Sequence, residues 1–366
     1  MGQGIDMNVN TLPSPTWNWL HMNETKVSQI AINGKAKAES KTPASLKAAV
    51  QIENTLDAIA GGMGEDMESL AEKNAPEFRH FTAPAGVKEN APVMLAYRWQ
   101  KGEASFDRVG LTAEENSEMT VVMDFGSEAD AEGQAAVQTK LLVKKNARIH
   151  LIQLLHTGEG FTFLNDVGAL CEEGANVELL QLVIGGKNTY LGVRSTLTGA
   201  ESSLTSDVCY LLDGEDHLDM NYVADHRGKR TVSNMEANGV LRGSAHKLFR
   251  GTIDFKNGSG GSKGDEKEDV LLFSDQTVNR TIPLILCQEE DVEGNHGATI
   301  GRLDEELLFY LESRGIPEED VSEMMARARV EALCKKIRDP EARALARSCA
   351  GLDEPEDGSG SEAYQE

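Results

Sequence analysis

The chain has 366 residues, enough for two or three ordinary domains or for one elongated repeat domain with smaller flanking pieces. Its 36 basic and 60 acidic residues give a formal charge of −24, which repels nucleic-acid phosphates and anionic lipid, so neither is expected as a partner. No apolar run approaches the roughly 20 residues of a membrane helix. The opening "MGQGIDMNVN" carries no secretion-signal pattern and has Asp6 where myristoylation wants Ser or Thr, so a cytoplasmic protein is expected.

Residues 1–90 read as a helical region. Thr42 and Pro43 suit an N-cap and first helical position, Leu46, Ala49, Ile52, Leu56 and Ile59 recur at helical spacing, and Gly61 and Gly62 end the run. A second short helix is expected at "EDMESLAEKN". From about Pro92 the pattern changes to short apolar runs such as "MTVVMDF", "VQTKLLV" and "YLGVRSTL" between Gly, Asn, Asp and Glu, the rhythm of a many-stranded all-β unit over residues 91–302.

One internal match selects among all-β folds. "NARIHLIQLL" at 146–155 aligns with "GANVELLQLV" at 174–183 at a constant offset of 28, pairing Ile149 with Val177, Leu151 with Leu179 and Gln153 with Gln181. "GAESSLTSDV" at 199–208 is a weaker third copy and "GSAHKLFRGTI" at 243–253 a distant fourth. A fixed period with a small-residue turn before each strand predicts stacked coils, a β-helix, since no copy buries its apolar face alone. A β-sandwich shares the strand spacing but gives no reason for the offset. "KNGSGGSKGDEKED" at 256–269 is expected to be a mobile Gly/Ser loop within this domain.

Residues 303–350 read as a C-terminal helical region. Asp304 is the expected N-cap of its first helix, which Arg314 and Gly315 close before Pro317 opens the next, and Asp339 with Pro340 starts a third. Leu303, Leu307, Leu308 and Leu311, continued by Val321, Met324, Met325, Ala328 and Leu333, form an apolar stripe that suits a solenoid cap, a partner-docking surface, or both. Phe309 and Tyr310 lie off that stripe. The tail, 351–366, is expected to be disordered.

Evident catalytic motifs are missing: the chain has no phosphate-binding loop, dinucleotide fingerprint, H-E-x-x-H or G-x-S-x-G. The five cysteines, Cys171, Cys209, Cys287, Cys334 and Cys349, form neither a C-x-x-C pair nor a zinc-finger spacing, so the chain is not expected to hold a metal or cluster by itself. Of eight histidines most read as surface or satisfied core residues, and His150 is expected on the outer face of its strand, opposite Leu151. His296 stands apart, because Gly294 and Gly297 leave room for a ligand or another backbone and imply a side chain reaching outward. Cys287 lies nine residues upstream, at the end of "TIPLILC".

"VEGNHGATIGRLDEELLFYLESRGI" closely resembles the SufD family of iron–sulfur assembly scaffolds. "PTWNWLHMN" at 15–23, "DHRGKRTVSNMEANGVLRGSAHKLFRGTIDF" at 225–255 and "EDVLLFSDQTVNRTIPLILC" support the resemblance, which is specific over about 225–316 and looser elsewhere. It implies a right-handed parallel β-helix between helical ends, mainly β, in agreement with the 28-residue offset.

The resemblance further implies a non-catalytic scaffold subunit that pairs with the paralogue SufB, or with a second copy of itself when isolated, and docks the ABC ATPase SufC. It places His296 at the junction with SufB as a ligand of the forming cluster, with Asp304, Leu308, Phe309, Tyr310 and Arg314 on the ATPase-binding helix. No cofactor is expected on the isolated chain, only a transient iron–sulfur cluster in the complex. Some members carry a cysteine two residues before this histidine; Gly294 stands there, so a thiolate must come from the partner or from Cys287. A SufB-like chain tends to read H-E-A where this one has His296, Gly297 and Ala298, which favours SufD. The alternative from another class is a β-helix polysaccharide-processing enzyme, which would need an acidic or basic cluster on one coil face.

Overall fold

A computed structural model of the chain describes residues 4–52, 54–302 and 304–352. Leu303 of the expected stripe, and residues 353–366 of the expected tail, lie outside the described residues.

The chain opens with β1 (Ile5–Val9) and β2 (Thr25–Ile30), an antiparallel pair, then β3 (Gly34–Lys35), β4 (Ala38–Lys41), β5 (Lys47–Gln51), α1 (Asn54–Asp57) and α2 (Glu65–Asn74). The strands β6 (Phe78–Ala83), β7 (Val93–Trp99), β8 (Ala104–Ala113), β9 (Glu118–Ser127), β10 (Glu132–Val143), β11 (Arg148–His156), β12 (Gly160–Cys171) and β13 (Asn176–Ile184) follow. The solenoid continues through β14 (Asn188–Leu197), β15 (Ser203–Leu212), β16 (His217–His226), β17 (Val232–Leu241), β18 (His246–Phe255), β19 (Ser262–Leu272), β20 (Val278–Cys287) and β21 (Val292–Gly301). Helices α3 (Glu305–Ser313), α4 (Glu318–Cys334) and α5 (Pro340–Cys349) complete it.

Successive strands from β6 onward alternate between two sheets, even-numbered in one and odd-numbered in the other, and each of β8–β19 pairs in parallel with the strand two before and the strand two after. This is a parallel β-helix of two strands per coil. Ile149 pairs with Val177, Leu151 with Leu179 and Gln153 with Gln181, as the 28-residue offset requires. The third copy joins the same sheet through Val177–Leu204, whereas the fourth, within β18, belongs to the opposite sheet and pairs with β16. What it shares with the others is the turn and not the stack.

Those turns explain the small-residue signature. Asn116, Asn146, Gly174, Glu201, Arg230 and Gly261 all have positive φ, between 54° and 78°, one in each of six consecutive coils. Each donates its backbone N–H to the coil above, as in Asn146 to Glu173 O and Gly174 to Ala200 O, so the corner is a hydrogen-bonded column. The inward faces of both sheets form one core, in which Trp99, Phe125, Phe161 and Phe163 stack with ring centroids 4.9–6.1 Å apart.

Each sheet has its own outer cover. The N-terminal segment lies on the even-numbered sheet, where Met7, Val9, Met63, Met67 and Leu70 pack on Phe106, Ala136, Leu164 and Tyr190. Arg250, fully buried, clamps it by donating to Met22 O at 2.7 Å, Thr25 Oγ1 at 2.8 Å and Asp219 Oδ1 at 2.6 Å. The "PTWNWLHMN" element thus straps the coil of β18, with Trp17 N–H donating to Asn23 Oδ1 at 2.8 Å. Helices α4 and α5 and the turn between them cover the odd-numbered sheet, setting Val330, Leu333, Ile337 and Ala346 against Ile152, Leu154, Leu180 and Leu182.

Four expectations are corrected. The helix expected from Thr42 to Gly61 is instead β5, paired antiparallel with β6, and a single turn at α1, while the second expected helix is α2 with the limits anticipated. A short apolar run fits strand and helix alike, and the free edge of β6 decided for strand. The expected loop at 256–269 is half strand, because Ser262, Gly264, Glu266 and Glu268 alternate inward, and Ser262 and Glu268 find buried polar partners in Thr231, Lys247 and Thr281 that no hydropathy pattern reveals. The C-terminal helices lie along the flank of the solenoid and not across its end, and on α4 the buried face is Val321, Ala326, Val330 and Leu333, leaving Met324 54% exposed and Ala328 exposed. His150 is on the outer face as expected, yet it is buried beneath Arg338 and hydrogen-bonded between Glu118 at 3.0 Å and Glu178 at 2.8 Å.

Candidate functional site

The solenoid is uncovered at the end formed by β20 and β21, each of which has a strand neighbour on one side among the described residues. Residues 293–300 of β21 are exposed, so a row of backbone donors and acceptors stands free, a ready template for another strand. His296 occupies the middle of that edge.

Its register is defined by β19: Gly294 pairs with Gly264, His296 with Glu266 and Ala298 with Glu268. Side-chain alternation therefore puts His296 on the face of Glu266 and Glu268, the face that looks into the solenoid, and corrects the expectation of an outward-reaching side chain. It is exposed because no further coil covers it. The glycines act separately: a Cβ on Gly294 would sit 3.1 Å from Ile285 and Phe255, whereas one on Gly297 meets nothing within 4 Å.

Directly inside lies a charged cluster. Lys247 Nζ is ion-paired with Glu268 and lies 3.0 Å from Thr281 Oγ1, which donates to Glu268 Oε2 at 2.6 Å. Glu266, 3% exposed, has an Oε2 without a hydrogen-bond partner, and burial beside Glu268 pushes its carboxyl up to about 8. A carboxyl that keeps its proton at neutral pH thus sits one strand below an exposed imidazole. Sequence reasoning missed this cluster, whose one signal was the charge-rich stretch assigned to a loop.

Cys287 ends β20 in the opposite sheet with an exposed thiol. Among the described residues, the group of three metal-ligand side chains within 4.8 Å of one another contains neither Cys287 nor His296 but Asp124, His156 and Cys349, on the flank.

Helix α3 follows β21 directly. Asp304 caps it by accepting from the backbone N–H of Glu306 at 2.8 Å and Leu307 at 3.1 Å. Leu308 is half-buried, Phe309 is 73% and Tyr310 52% exposed, and the Arg314 guanidinium lies 5.1 Å from the Tyr310 ring centre. An apolar ridge therefore extends from the open end instead of packing onto it.

Residues 97–329 match the family profile described as SUF system FeS cluster assembly, SufBD core domain, which spans the solenoid from β7 to α4. The chain belongs to the SufBD family. It is 28% identical over 260 residues to a SufBD family iron–sulfur cluster assembly protein of Mycobacterium leprae, an alignment covering 69% of this chain and 30% of that protein. It is 24% identical over 245 residues to the iron–sulfur cluster assembly protein SufD of Bacillus subtilis, covering 66% and 56%, and 23% identical over 257 residues to SufB of the same organism, covering 69% and 55%. The chain thus spans under a third of the mycobacterial relative and about half of the Bacillus ones. The family is settled by these matches, and SufD and SufB stand almost equally near. No helix among the described residues is long and apolar enough to cross a membrane.

Proposed function

We propose that this SufBD family chain is a non-catalytic, SufD-like scaffold subunit that pairs through its open end with a SufB-like partner in the cytoplasm, docks a SufC-like ABC ATPase on α3, and helps build a nascent iron–sulfur cluster at the seam. The observation that carries the reading is His296 exposed on an edge strand whose outer side has no strand neighbour among the described residues, where a second solenoid can add its own edge. A neutral imidazole is an ordinary ligand for iron, and one imidazole binds it weakly, so the site is complete only when the partner adds a thiolate. The cluster is cargo, held for transfer, and the isolated chain carries none. Cys287 is the chain's own candidate thiolate, exposed at the rim of the same end.

A SufB-like assignment is the competing reading within the family, supported by the near-equal identities of 24% and 23% to the two Bacillus proteins. Gly297 in place of the glutamate of H-E-A supports SufD. The test is to capture the tagged chain from its native cells and identify what co-purifies. Recovery of a SufB-like paralogue together with an ABC ATPase supports the proposal; recovery of a SufD-like paralogue assigns this chain the SufB role, and recovery of neither overturns both.

A further inference from the structure

The flank that carries α5 holds a constellation separate from the open end. Asp124 and His156 sit on the outer face of the odd-numbered sheet, on adjacent strands, with His156 paired in register to Gly126. A Cβ on Gly126 would lie 2.6 Å from His156 Cε1, so glycine there lets the imidazole lie flat across the strand toward Asp124. His156 Nε2 is 2.6 Å from Asp124 Oδ1. Cys349, the last residue of α5, brings its thiol over the same pair, and one donor atom from each of the three side chains lies within 4.8 Å of the other two. Asp124 is 2% exposed, and Arg98 engages its second oxygen.

The geometry points to a binding site for a thiophilic divalent cation, of the zinc or ferrous class, held by Asp124, His156 and Cys349. Thiolate, imidazole and carboxylate together are the donor set such ions select, at ~2.0–2.3 Å, and three protein ligands leave a fourth position for water or an exchanging ligand. Arg98 is the outer-shell partner that orients the carboxylate. Ion entry is open, since His156, Thr157, Ser127 and Ala350 line a cleft of about 950 Å³. On binding, the ion takes the place of the thiol proton of Cys349 and of the proton shared between His156 and Asp124, and both protons pass to solvent. Arg338, just before α5, is ion-paired with Glu178, and the ion adds a link between the last residue of the helix and the sheet. The site is independent of the role proposed for His296.

The test uses the reduced full chain titrated with Co2+ as a spectroscopic probe and with Zn2+. One equivalent of Co2+ is expected to give a thiolate-to-cobalt charge-transfer band that survives Cys287→Ser and is lost in Cys349→Ser, with His156→Ala weakening binding at least ~10-fold. Zn2+ is expected to protect Cys349, and not the exposed Cys287, from alkylation read by mass spectrometry. Circular dichroism without metal is expected to be the same in all variants, which separates ligand loss from unfolding. An unchanged band in Cys349→Ser, equal alkylation of Cys349 with and without Zn2+, or no thiolate band in the intact chain would overturn the assignment.

Discussion

Lys247 and Glu268 form an ion pair inside the solenoid, one coil below its open end, with side chains 0% and 1% exposed. Burial pushes the Lys247 ammonium below the usual lysine range, and the Glu268 carboxylate opposes that shift. Removing one partner leaves a buried charge without compensation, so Glu268→Ala is expected to lower stability by ~3–5 kcal/mol, whereas Lys247→Met with Glu268→Leu recovers most of it. Urea unfolding of the wild type, Glu268→Ala and the double variant checks this; a double variant no more stable than Glu268→Ala would contradict it.

The same cluster marks the limit of what the sequence made legible. The solenoid was visible because Ile149/Val177 and Leu151/Leu179 are apolar on the same face at one offset, and stacking makes a periodic core. The coil carrying Glu266 and Glu268 was not, because these inward positions are polar and Glu268 is matched to Lys247 and Thr281 on the opposite sheet, a relation no local pattern encodes. His296 was legible as a residue, through its glycines and the family motif; its direction was not, since that depends on the register with Glu266. Asp124, His156 and Cys349 are far apart in sequence and meet only when α5 folds back on the sheet.

His226 is fully buried, with Nδ1 2.7 Å from Thr231 Oγ1 and Nε2 2.8 Å from Ser233 Oγ, and burial pushes its pKa down to about 4. The unfolded chain takes up this proton near pH 6.5 and the folded chain only near 4, so stability is present above pH 6.5 and is lost as pH falls toward 4. The loss from this group between pH 7 and 5 is roughly 2 kcal/mol. His226→Gln is expected to destabilise the chain at pH 7 and to shrink the wild-type advantage at pH 5; a pH-independent difference in denaturation midpoints would contradict the assignment.

Gly62 holds the N-terminal segment to the solenoid by close approach: a Cβ there would lie 2.0 Å from Val193 N, while Asn221 Nδ2 donates to its carbonyl at 2.8 Å. Gly62→Ala is expected to cost ~1–3 kcal/mol and to expose residues before β6 to proteolysis. Unchanged stability and digestion would show that the latch lies elsewhere.

Phe309 and Arg314 belong to the exposed helix and contribute little to the fold. Phe309→Ala and Arg314→Glu are expected to leave the melting temperature unchanged, yet each to weaken capture of a SufC-like ATPase by ~2 kcal/mol, about 30-fold in Kd. Titration of the ATPase onto immobilised variants measures this, and wild-type affinity in both would move the docking site off α3.

The ligand role of His296 is tested most directly by cluster yield in the purified heteromeric complex, read as absorbance and bound iron. Because His296 is exposed on an edge strand, His296→Ala is expected to leave folding, partner pairing and ATPase docking intact while cluster yield falls by about tenfold or more. A His296→Ala complex that assembles normally and yields the wild-type amount of cluster would contradict the account and leave this histidine a surface residue of the edge strand.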